Sequence, residues 1–586
     1  MCSEKVNSKS DIYDTYDDII KTVNGLKLHK EFKEFRGMTE NFQRVRYVEE
    51  LLLKYEHIQN FKKKLVMQDS KSNERAIALR NEGNKNFMAR NYFEALQLYN
   101  KSICYSEDSK NIGIGYSNRS AVFFQLKMYK QCLENIEMSK KTKNFPENLL
   151  AKLNKREEDC KKFLSTQKRE EDPVEFPLSF KNHEVVPYIA NCLALGHTKE
   201  EGRFIYTKVD LKPGDCVAIE DPYCTALLPP MRYIRCTYCT KENCFTLIPC
   251  NHCTGAMFCD KVCRDKAWNS FHKYECKVID FILDTFPKIH QTALRICLTA
   301  LSLFGNVDDC RAFCEDPANQ SKTVFDLNFD ELTKTEEYKA VYGLITNQEK
   351  RDTEDLFQRA VVVATIKNIL IEFTPLKSFL GKNIENENFF ANLLFKHVQT
   401  SSTNGHSLDL IEQVNNINDD VHFATGIYPF LSLFNHSCAP NTVRISKGTT
   451  YIVFALRHIE ANGKLFENYG SHFLQQPKME RQQYLSSQFR FVCKCEACEN
   501  NYNMAMMLPR ANIPSTVNTP KDNDHLSKFD FQYALKNLEK YTEYLKIYGE
   551  RNYPNFQIQG AEECFKMALK ILVGAVHLRA KILSNK

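Results

Sequence analysis

Residues 435–441 read Asn-His-Ser-Cys-Ala-Pro-Asn and follow directly on the apolar run Tyr-Pro-Phe-Leu-Ser-Leu-Phe at 428–434. Two further motifs lie downstream: Phe-Glu-Asn-Tyr-Gly at 466–470, and Phe-Arg-Phe-Val-Cys-Lys-Cys-Glu-Ala-Cys at 489–498. Three cysteines cannot complete a structural zinc site, because such a site has four ligands. Cys438 is the obvious fourth ligand. The predicted site, which ties the first motif to the last, is formed by Cys438, Cys493, Cys495 and Cys498.

A second cysteine cluster, the cysteine module at 236–276, has the spacing Cys-x2-Cys-x10-Cys-x2-Cys-x5-Cys-x3-Cys-x8-His-x3-Cys. Alternating pairs of ligands predict two tetrahedral zinc sites and leave Cys244 over. All four positions of each site are filled, which predicts a structural role, and the metal should supply the folding energy of so small a module. The first predicted site is Cys236, Cys239, Cys259 and Cys263; the second is Cys250, Cys253, His272 and Cys276.

Length and composition set limits on the remaining chain. At 586 residues it should form several domains. The 79 lysines and arginines against 73 aspartates and glutamates leave a net charge of +6, too weak at this length to indicate nucleic-acid binding. No apolar run approaches the roughly 18 residues of a membrane span, and the polar N-terminus lacks a signal-peptide core. We expect a cytoplasmic and nuclear protein, in which clustered cysteines bind metal rather than form disulfides.

The N-terminal region is dominated by helical patterns and contains an internal repeat. The sequence Arg-Asn-Glu-Gly-Asn at 80–84, with Ala95 downstream, recurs as Asn-Arg-Ser-Ala at 118–121, with Cys132 downstream. The offset between Ala95 and Cys132 is 37 residues, slightly longer than the 34-residue period of tetratricopeptide (TPR) repeats. A generic helical bundle is the alternative. Because at least three stacked units are normally needed for stability, we expect support from flanking helices.

The motifs together resemble a known family. The motif at 435–441, the late Tyr-Gly and the trailing cysteines resemble the SET domain of protein lysine methyltransferases. The cysteine module resembles the MYND zinc finger, including Trp268 four residues before His272. A MYND finger inserted between two SET halves is similar to the SMYD (SET and MYND) proteins, and the TPR-like helices point to their TPR-bearing branch. The resemblance covers about residues 80–500.

This resemblance implies an α+β multidomain fold: N-terminal TPR-like helices, a β-rich SET fold split by a MYND zinc finger and a helical insert, a post-SET zinc site, and C-terminal helices. The β-type segments on the two sides of the insertions should form one folding unit. The predicted segments are 1–28 disordered, 29–168 helical and TPR-like, 172–235 first SET part, 236–276 MYND finger, 277–420 helical insert, 421–475 SET core, 476–502 post-SET, 503–528 linker and 529–586 C-terminal helices.

The resemblance also implies S-adenosylmethionine as the cofactor, beside three zinc ions. Gly202 and Arg203 would form the N-terminal loop along the cofactor. Asn435 and His436 would hold its amino-acid and adenine ends, and Phe491 would stack near the adenine.

Further residues follow from the same resemblance. Asn404 matches the family's insert asparagine, and Ser432 and Asn347 are lesser cofactor candidates. Phe489 and Tyr469 would wall the channel through which lysine enters. Tyr469, the predicted catalytic residue, would orient the lysine amine and polarise the transferring methyl group, since a phenol with a pKa of about 10 is a poor resting base.

Two positions depart from the family pattern. The cofactor loop commonly reads Gly-x-Gly, but Phe204 stands at its last position. Acidic residues usually precede the tyrosine-containing strand, but Gly463 and Lys464 stand there instead. Both departures bear on the choice between an active enzyme and a scaffold.

Two function classes follow. The first is a protein-lysine N-methyltransferase that transfers methyl in line to a lysine amine of a histone or another protein. The alternative is a weak or inactive SET scaffold that acts as an adaptor through its finger and helical repeats. Partners would be proline-rich peptides at the finger and unidentified proteins at the repeats. The chain is expected to be a monomer with no membrane or direct nucleic-acid partner, because basic and acidic residues are interspersed in the finger.

Overall fold

The structure, a computed structural model, describes residues 29–66, 70–165, 172–414, 417–577 and 579. The predicted disordered segment 1–28 lies outside the described residues. Within them, no helix combines the length and apolarity that crossing a bilayer requires.

In the described part of the chain, eight helices precede the first strand. Helices α4 to α8, called here the helical array, stack as successive hairpins with short loops. A Cβ on Gly83 would lie 2.7 Å from the ring of Tyr99, so only glycine allows α4 to approach α5 this closely. The helices are α1 (His29–Gly37), α2 (Asn41–Lys54), α3 (His57–Val66), α4 (Asn73–Met88), α5 (Tyr92–Tyr105), α6 (Ser109–Gln125), α7 (Tyr129–Lys140) and α8 (Glu147–Leu164).

Helices α1 to α3 pack elsewhere, so the predicted module 29–168 divides in two. The rings of Phe35 and Phe357 lie 5.1 Å apart. Lys367 forms an ion pair with Glu49 at 2.7 Å. Phe357 and Lys367 both belong to the predicted insert. The flanking helices therefore pack against the insert.

The β segments on the two sides of the insertions share sheets, which confirms the prediction of one folding unit. Strand β3 (Cys216–Glu220) pairs with β11 (Thr450–Ala455), and β4 (Cys224–Leu227) pairs with β8 (Ile417–Ile427). The sheets have the orders β1-β2, β10-β11-β3, β12-β9, β4-β8-β7 and β5-β6. The strands are β1 (Leu193–Thr198), β2 (Gly202–Thr207), β3 (Cys216–Glu220), β4 (Cys224–Leu227), β5 (Ile248–Pro249), β6 (Met257–Phe258), β7 (Gly405–Val414), β8 (Ile417–Ile427), β9 (Asn435–His436), β10 (Thr442–Lys447), β11 (Thr450–Ala455) and β12 (Phe466–Glu467).

The predicted helical insert ends earlier than expected. Its last helix stops at Asn404, and residues 405–414 form a strand that pairs with β8. Alternation of apolar and polar residues over His-Ser-Leu-Asp-Leu suits a half-buried strand better than a helix. Helices of the module and insert are α9 (Lys261–Ala267), a π-turn (Trp268–His272), α10 (Lys273–Glu275), α11 (Ile279–Thr285), α12 (Lys288–Phe304), α13 (Val307–Glu315), α14 (Lys334–Tyr342), α15 (Thr353–Phe373), α16 (Leu376–Leu380) and α17 (Ile384–Asn404).

The C-terminal region contains more structure than predicted in one place and less in another. The predicted linker 503–528 includes a helix whose Asp522 is fully buried and accepts a hydrogen bond from Tyr541 at 2.7 Å. The helix Phe556–Leu572, predicted to continue to about 584, ends at Leu572, and Val576 then pairs with Ile411. Residues 578 and 580–586 of the predicted helix lie outside the described residues. These helices are α18 (Lys478–Phe489), α19 (Glu496–Glu499), α20 (Pro520–Ser527), α21 (Phe531–Tyr548) and α22 (Phe556–Leu572).

The inner face of the helical array holds the cysteine module. Arg119, on α6, is fully buried. It donates to Asn135 at 2.5 Å, to Asn100 at 2.8 Å and to the carbonyl of Leu247 at 2.9 Å. Asn135 in turn donates to the carbonyl of Phe245 at 2.7 Å. Burial lowers the pKa of Arg119 to about 10, which leaves it charged at neutral pH. Side chains of three successive array helices thus hold the extended backbone of the module.

We expect Arg119→Ala to destabilise the cysteine module although the substitution lies in the array. Three buried acceptors lose their donor, which should lower the free energy of unfolding by about 3–5 kcal/mol. Trp268 is the chain's only tryptophan and lies in the module, so its fluorescence during urea unfolding reports the module alone. The exposed Lys85→Ala in the same array is the control. An unchanged Trp268 transition in Arg119→Ala would show that the array does not support the module.

Candidate active site and metal centres

Three groups of four cysteine or histidine side chains converge in the described chain, each with donor atoms within 4.8 Å of one another. They are the three groups that the sequence predicts. Sulfurs on a tetrahedron with zinc–sulfur bonds of about 2.3 Å lie about 3.8 Å apart. The Sγ atoms of Cys239 and Cys259 are 3.6 Å apart, and those of Cys250 and Cys276 are 3.8 Å apart. The donor sets and spacings fit zinc, and Cys244 belongs to none of the groups.

The histidine of the second group is oriented by its surroundings. His272 lies in the π-turn and directs Nε2 toward Cys250, 3.3 Å away, while Nδ1 lies 3.3 Å from Glu275. Arg295 pairs with the same carboxylate at 3.2 Å. A carboxylate on the outer ring nitrogen fixes the ring and its tautomer for metal binding. Burial alone would raise the pKa of Glu275, but Arg295 and His272 hold it below its usual value.

The third group joins the motif at 435–441 to the end of the β-rich unit. The Sγ atoms of Cys438 and Cys498 are 3.6 Å apart, and the backbone N–H of Cys438 donates to the Sγ of Cys495 at 3.3 Å. The buried Arg481 directs a guanidinium nitrogen at the Sγ of Cys498, 3.7 Å away. A metal bound here therefore fixes the position of the motif.

The motif also pairs with the segment around 466–470. Strand β9 runs parallel to β12. The side chain of Asn441 accepts from the N–H of Phe466 at 2.7 Å and donates to the carbonyl of Lys464 at 2.8 Å. The amide of Asn468 donates to the carbonyl of Ser437 at 3.1 Å. Asparagine side chains replace backbone partners on both sides, which explains the need for this residue type in both motifs.

His436 and Tyr469 are in direct contact. The backbone N–H of Tyr469 donates to Nδ1 of His436 at 3.0 Å, and Nε2 of His436 lies 3.3 Å from the Sγ of Cys438. Both ring nitrogens are thereby used within the protein. The Tyr469 hydroxyl donates to the carbonyl of Phe434. Its ring lies 4.8 Å from that of Phe489. Burial, and then the charge of Glu467, raise the pKa of Tyr469 well above its usual value, so the phenol stays protonated.

A buried ion pair lies beside this tyrosine. Glu467 is 5% exposed and accepts from Arg444 at 2.7 Å. Burial raises the pKa of Glu467, and the guanidinium of Arg444 opposes that rise. His406 lies 3.7 Å from the other carboxylate oxygen. Its Nε2 is 3.5 Å from the hydroxyl of Ser432, which donates to the carbonyl of Tyr428 at 2.8 Å.

The loop at 343–347 of the insert connects the remaining predicted residues. Arg203 donates to the carbonyl of Gly343 at 3.2 Å, and Asn404 donates to the carbonyl of Ile345 at 2.8 Å. Asn347 donates to the carbonyl of Phe489 at 3.3 Å. The loop therefore links the start of β2, the end of α17 and the end of α18. The sequence indicated only Asn347 within it.

The start of β2 leaves room for a ligand. Gly202 has φ +70°, a left-handed conformation that favours glycine, and a Cβ built there would meet nothing within 4 Å. The side chain of Asn435 lies 3.5 Å from the carbonyl of Glu201. Gly202 and Asn435 thus lie close together, and the Cβ direction of Gly202 faces open space.

The two departures from the family pattern lie against each other. The ring of Phe204 packs over Gly196 of the paired strand, where a Cβ would lie 2.3 Å from the ring. The Nζ of Lys464 lies 4.5 Å from the centre of the same ring and forms an ion pair with Glu201. Phe204 replaces the glycine that the family commonly has at this position. Its ring fits within the β1–β2 hairpin because the paired residue, Gly196, has no side chain.

Comparison with known proteins identifies the family. A sequence model described as the SET domain matches residues 43–470, more than half of the chain. The chain belongs to the SET domain family. The matched residues include the motif at 435–441 and Tyr469, whereas the last three cysteines of the third cysteine group follow the matched segment.

Curated relatives match this SET protein over half of its length or more. "Protein-lysine N-methyltransferase SMYD4" of Mus musculus is 25% identical over 553 residues, which cover 75% of this chain and 69% of that protein. The Homo sapiens protein of the same name is 24% identical over 559 residues, with 75% and 69% coverage. "Histone-lysine N-methyltransferase ASHR1" of Arabidopsis thaliana is 23% identical over 316 residues, with 53% and 55% coverage. These relatives confirm the predicted resemblance to SMYD proteins.

In this SET protein the predicted cofactor residues form a chain of contacts. Asn435 contacts the residue before Gly202, and His436 contacts Tyr469. The ring of Phe491 lies 6.1 Å from that of His436. Arg203, Asn404 and Asn347 join this group through the insert loop, and Ser432 joins it through a short turn that contacts β2.

The sequence did not indicate the residues that hold this group together. Arg444 and Glu467 form the buried pair beside Tyr469, and the insert loop offers its backbone carbonyls at Gly343 and Ile345. A Cβ on Gly343 would lie 2.1 Å from the carbonyl of Lys322, so this glycine is required. Its only signal in the sequence is an isolated glycine between apolar residues.

Proposed function

We propose that the protein is an S-adenosylmethionine-dependent protein-lysine N-methyltransferase. The observation that carries this proposal is that two adjacent residues of the SET core serve both sides of one site. Asn435 lies beside the open loop at Gly202, and His436 contacts Tyr469, the residue proposed to meet the lysine. The names of the SMYD4 and ASHR1 proteins support lysine as the acceptor.

The residues present fit the cofactor. The open position at Gly202 accepts an extended chain, and the half-buried amide of Asn435 offers a donor and an acceptor to polar groups. Because the His436 ring is engaged on both nitrogens, its backbone rather than its imidazole would contact the adenine. Phe491 would cover the adenine face. When bound, S-adenosylmethionine supplies a methyl group on a positively charged sulfur, which is the electrophile of the reaction.

Tyr469 would act on the incoming lysine through its oxygen. Its hydroxyl proton is committed to the carbonyl of Phe434, so the oxygen lone pairs remain free to accept a hydrogen bond from the amine. Phe489 packs on the same ring and narrows the approach. A lysine amine with a free pKa of about 10.4 is protonated at neutral pH, and an aromatic channel favours its neutral, nucleophilic form by desolvation. Holding the nucleophile and the methyl group in line makes the larger contribution to the rate, since positioning of this kind can lower the activation barrier by roughly 7–11 kcal/mol.

The three cysteine groups are proposed to hold structural zinc. Each supplies four thiolate or imidazole donors, which leaves no open position for a reacting water. The same reduced thiols support the proposal that the protein works in the cytoplasm or nucleus.

The adaptor alternative finds less support. The inner face of the helical array, where a repeat protein would take a partner, is used by the chain's own cysteine module. The exposed Trp268, whose ring lies 5.1 Å from that of His252 at an angle of 35°, remains the proposed place for a proline-rich peptide.

Cofactor binding followed by methyl transfer tests the proposal. By calorimetry the protein should bind S-adenosylmethionine with micromolar affinity, and Asn435→Ala should weaken binding about tenfold or more because a polar contact with the cofactor is lost. Asn523→Ala, on the exposed face of α20, is the matched control and should bind normally. Labelled methyl groups should then appear on lysines of proteins in a cell lysate. Cofactor binding with no labelled lysine would favour the scaffold instead.

A further inference from the structure

Arg490 stands between the two aromatic residues of the site. Helix α18 ends at Phe489, and Arg490 has φ +65° in the left-handed region, with its N–H donating to Ser486 at the helix end. This conformation turns the chain sharply. Phe489 therefore faces Tyr469, and Phe491 faces His436. A non-glycine residue rarely adopts this region and persists there only where other contacts hold it.

The side chain of Arg490 supplies those contacts. Its guanidinium reaches Asp352 at 3.3 Å and Asp355 at 3.0 Å, both at the start of helix α15 in the insert. The side chain is only 16% exposed. The turn between the two aromatic residues is thus tied to a different segment of the chain, about 135 residues earlier.

Asp355 is shared by three arginines. It also accepts from Arg351 at 3.1 Å and from Arg359 at 2.8 Å. Burial alone would raise the pKa of Asp355, but the three guanidinium groups hold it below its usual value. The carboxylate is therefore ionised at neutral pH and bridges the segments that carry the arginines.

Arg351 extends the bridge to the other predicted cofactor residues. Its side chain, fully buried, donates to the carbonyl of Thr346 at 2.9 Å and to the hydroxyl of Ser402 at 3.2 Å. Thr346 lies in the insert loop next to Asn347, and Ser402 lies two residues before Asn404. Asn347 of the same loop donates to the carbonyl of Phe489, the residue before Arg490, so the loop also contacts the turn directly.

We propose that Arg490 is a positioning residue, whose ion pairs with Asp352 and Asp355 set the placement of Phe489 and Phe491 relative to the insert. This inference rests on the proposed methyltransferase function. It assigns to Arg490 a role in the reaction although its side chain touches neither lysine channel nor cofactor loop. The placement of the half-buried Phe489 and Phe491 would otherwise depend on the end of one helix.

Three substitutions test the proposal. Arg490→Ala should weaken cofactor binding and lower kcat, together by about 10- to 100-fold, because small misplacements of a reacting pair are costly. Arg490→Lys should recover part of the loss, since a single ammonium reaches one carboxylate but not both. Asp352→Asn keeps a side chain able to accept from the N–H of Asp355 at the helix start but loses the charge, and should lie between the two.

The measurements separate positioning from stability. Cofactor Kd by calorimetry, kcat and KM, melting temperature and hydrogen exchange of residues 484–492 are compared with those of Arg551→Ala, an exposed arginine of the C-terminal region. We expect faster exchange at 484–492 in Arg490→Ala, with little change in the melting temperature. Unchanged exchange and unchanged Kd, or activity that falls only with the folded fraction, would overturn the proposal.

Failure of the proposed function has a different signature. If the unmodified protein binds no cofactor, the methyltransferase proposal fails, while hydrogen exchange at 484–492 still decides whether Arg490 holds the turn. If the unmodified protein binds and methylates but Arg490→Ala does so equally well, only the positioning role is refuted.

Discussion

Replacing Cys495 by alanine is expected to remove one zinc ion per molecule and with it the binding of S-adenosylmethionine. Cys495 accepts from the backbone N–H of Cys438 and completes the third cysteine group. A structural zinc site has four ligands, so the three that remain cannot hold the metal in the same geometry. Bound zinc contributes on the order of 10–16 kcal/mol to the folding of small sites, and this contribution is lost with the metal. Without it, Asn435 and His436 lose their anchor, and cofactor affinity should fall at least 100-fold.

Zinc content and calorimetry check this prediction together. The unmodified protein should contain three zinc ions, and Cys495→Ala should contain two. Cys244→Ala is the matched control, since Cys244 lies in the cysteine module but in none of the three groups. It should keep three ions and the normal cofactor affinity. Normal cofactor affinity in Cys495→Ala with only two zinc ions would show that the motif is positioned without the metal.

The metal groups could be predicted from the sequence because ligand spacing is a local property. A Cys-x2-Cys pair reverses the chain within four residues, and an x3 spacing places both ligands on one side of a helical turn. The structure accordingly groups the eight ligands of the cysteine module as predicted and brings Cys438 to the three later cysteines. Only the pairing of distant cysteines required a hypothesis, and the four-ligand rule supplied it.

The packing of helices could not be predicted in the same way. Helices α1 to α3 carry apolar faces that fit either the helical array or the insert, and periodicity does not say which partner buries more surface. The contact between the inner face of the array and the cysteine module could not be predicted either. Arg119 looks like an ordinary charged helix residue in the sequence, but it is buried against the carbonyl of Leu247, 128 residues away in the chain.

The candidate site lies between these cases. The motifs at 435–441 and 466–470 indicated Asn435 and Tyr469 directly. The motifs did not reveal that the His436 ring is held on both sides, or that Asn404 donates to the insert loop. Such contacts involve backbone carbonyls, which every residue possesses, so they leave no signal in side-chain patterns.

Loss of the Tyr469 hydroxyl should abolish most methyl transfer and leave cofactor binding nearly intact. Tyr469→Phe keeps the ring that packs 4.8 Å from Phe489, so the walls of the channel remain. It removes the oxygen proposed to orient the amine, and loss of one such polar group costs about 10²–10³-fold in kcat. Steady-state kinetics with a lysine-containing substrate and calorimetry with the cofactor measure the two effects separately.

The pH dependence gives this prediction a second readout. The pKa of Tyr469 is raised by burial and by Glu467, so its phenol remains protonated from pH 7 to 9 and does not titrate there. In that range the rate should rise with pH as the lysine amine loses its proton, and the profile of Tyr469→Phe should run parallel below it. Tyr484→Phe is the matched control, because its hydroxyl donates to the backbone carbonyl of Tyr469 at 3.3 Å. If the rate of Tyr469→Phe did not rise with pH while the rate of the unmodified protein did, the prediction would be wrong. The titrating group would then be the phenol of Tyr469, acting as the base, and not the lysine amine.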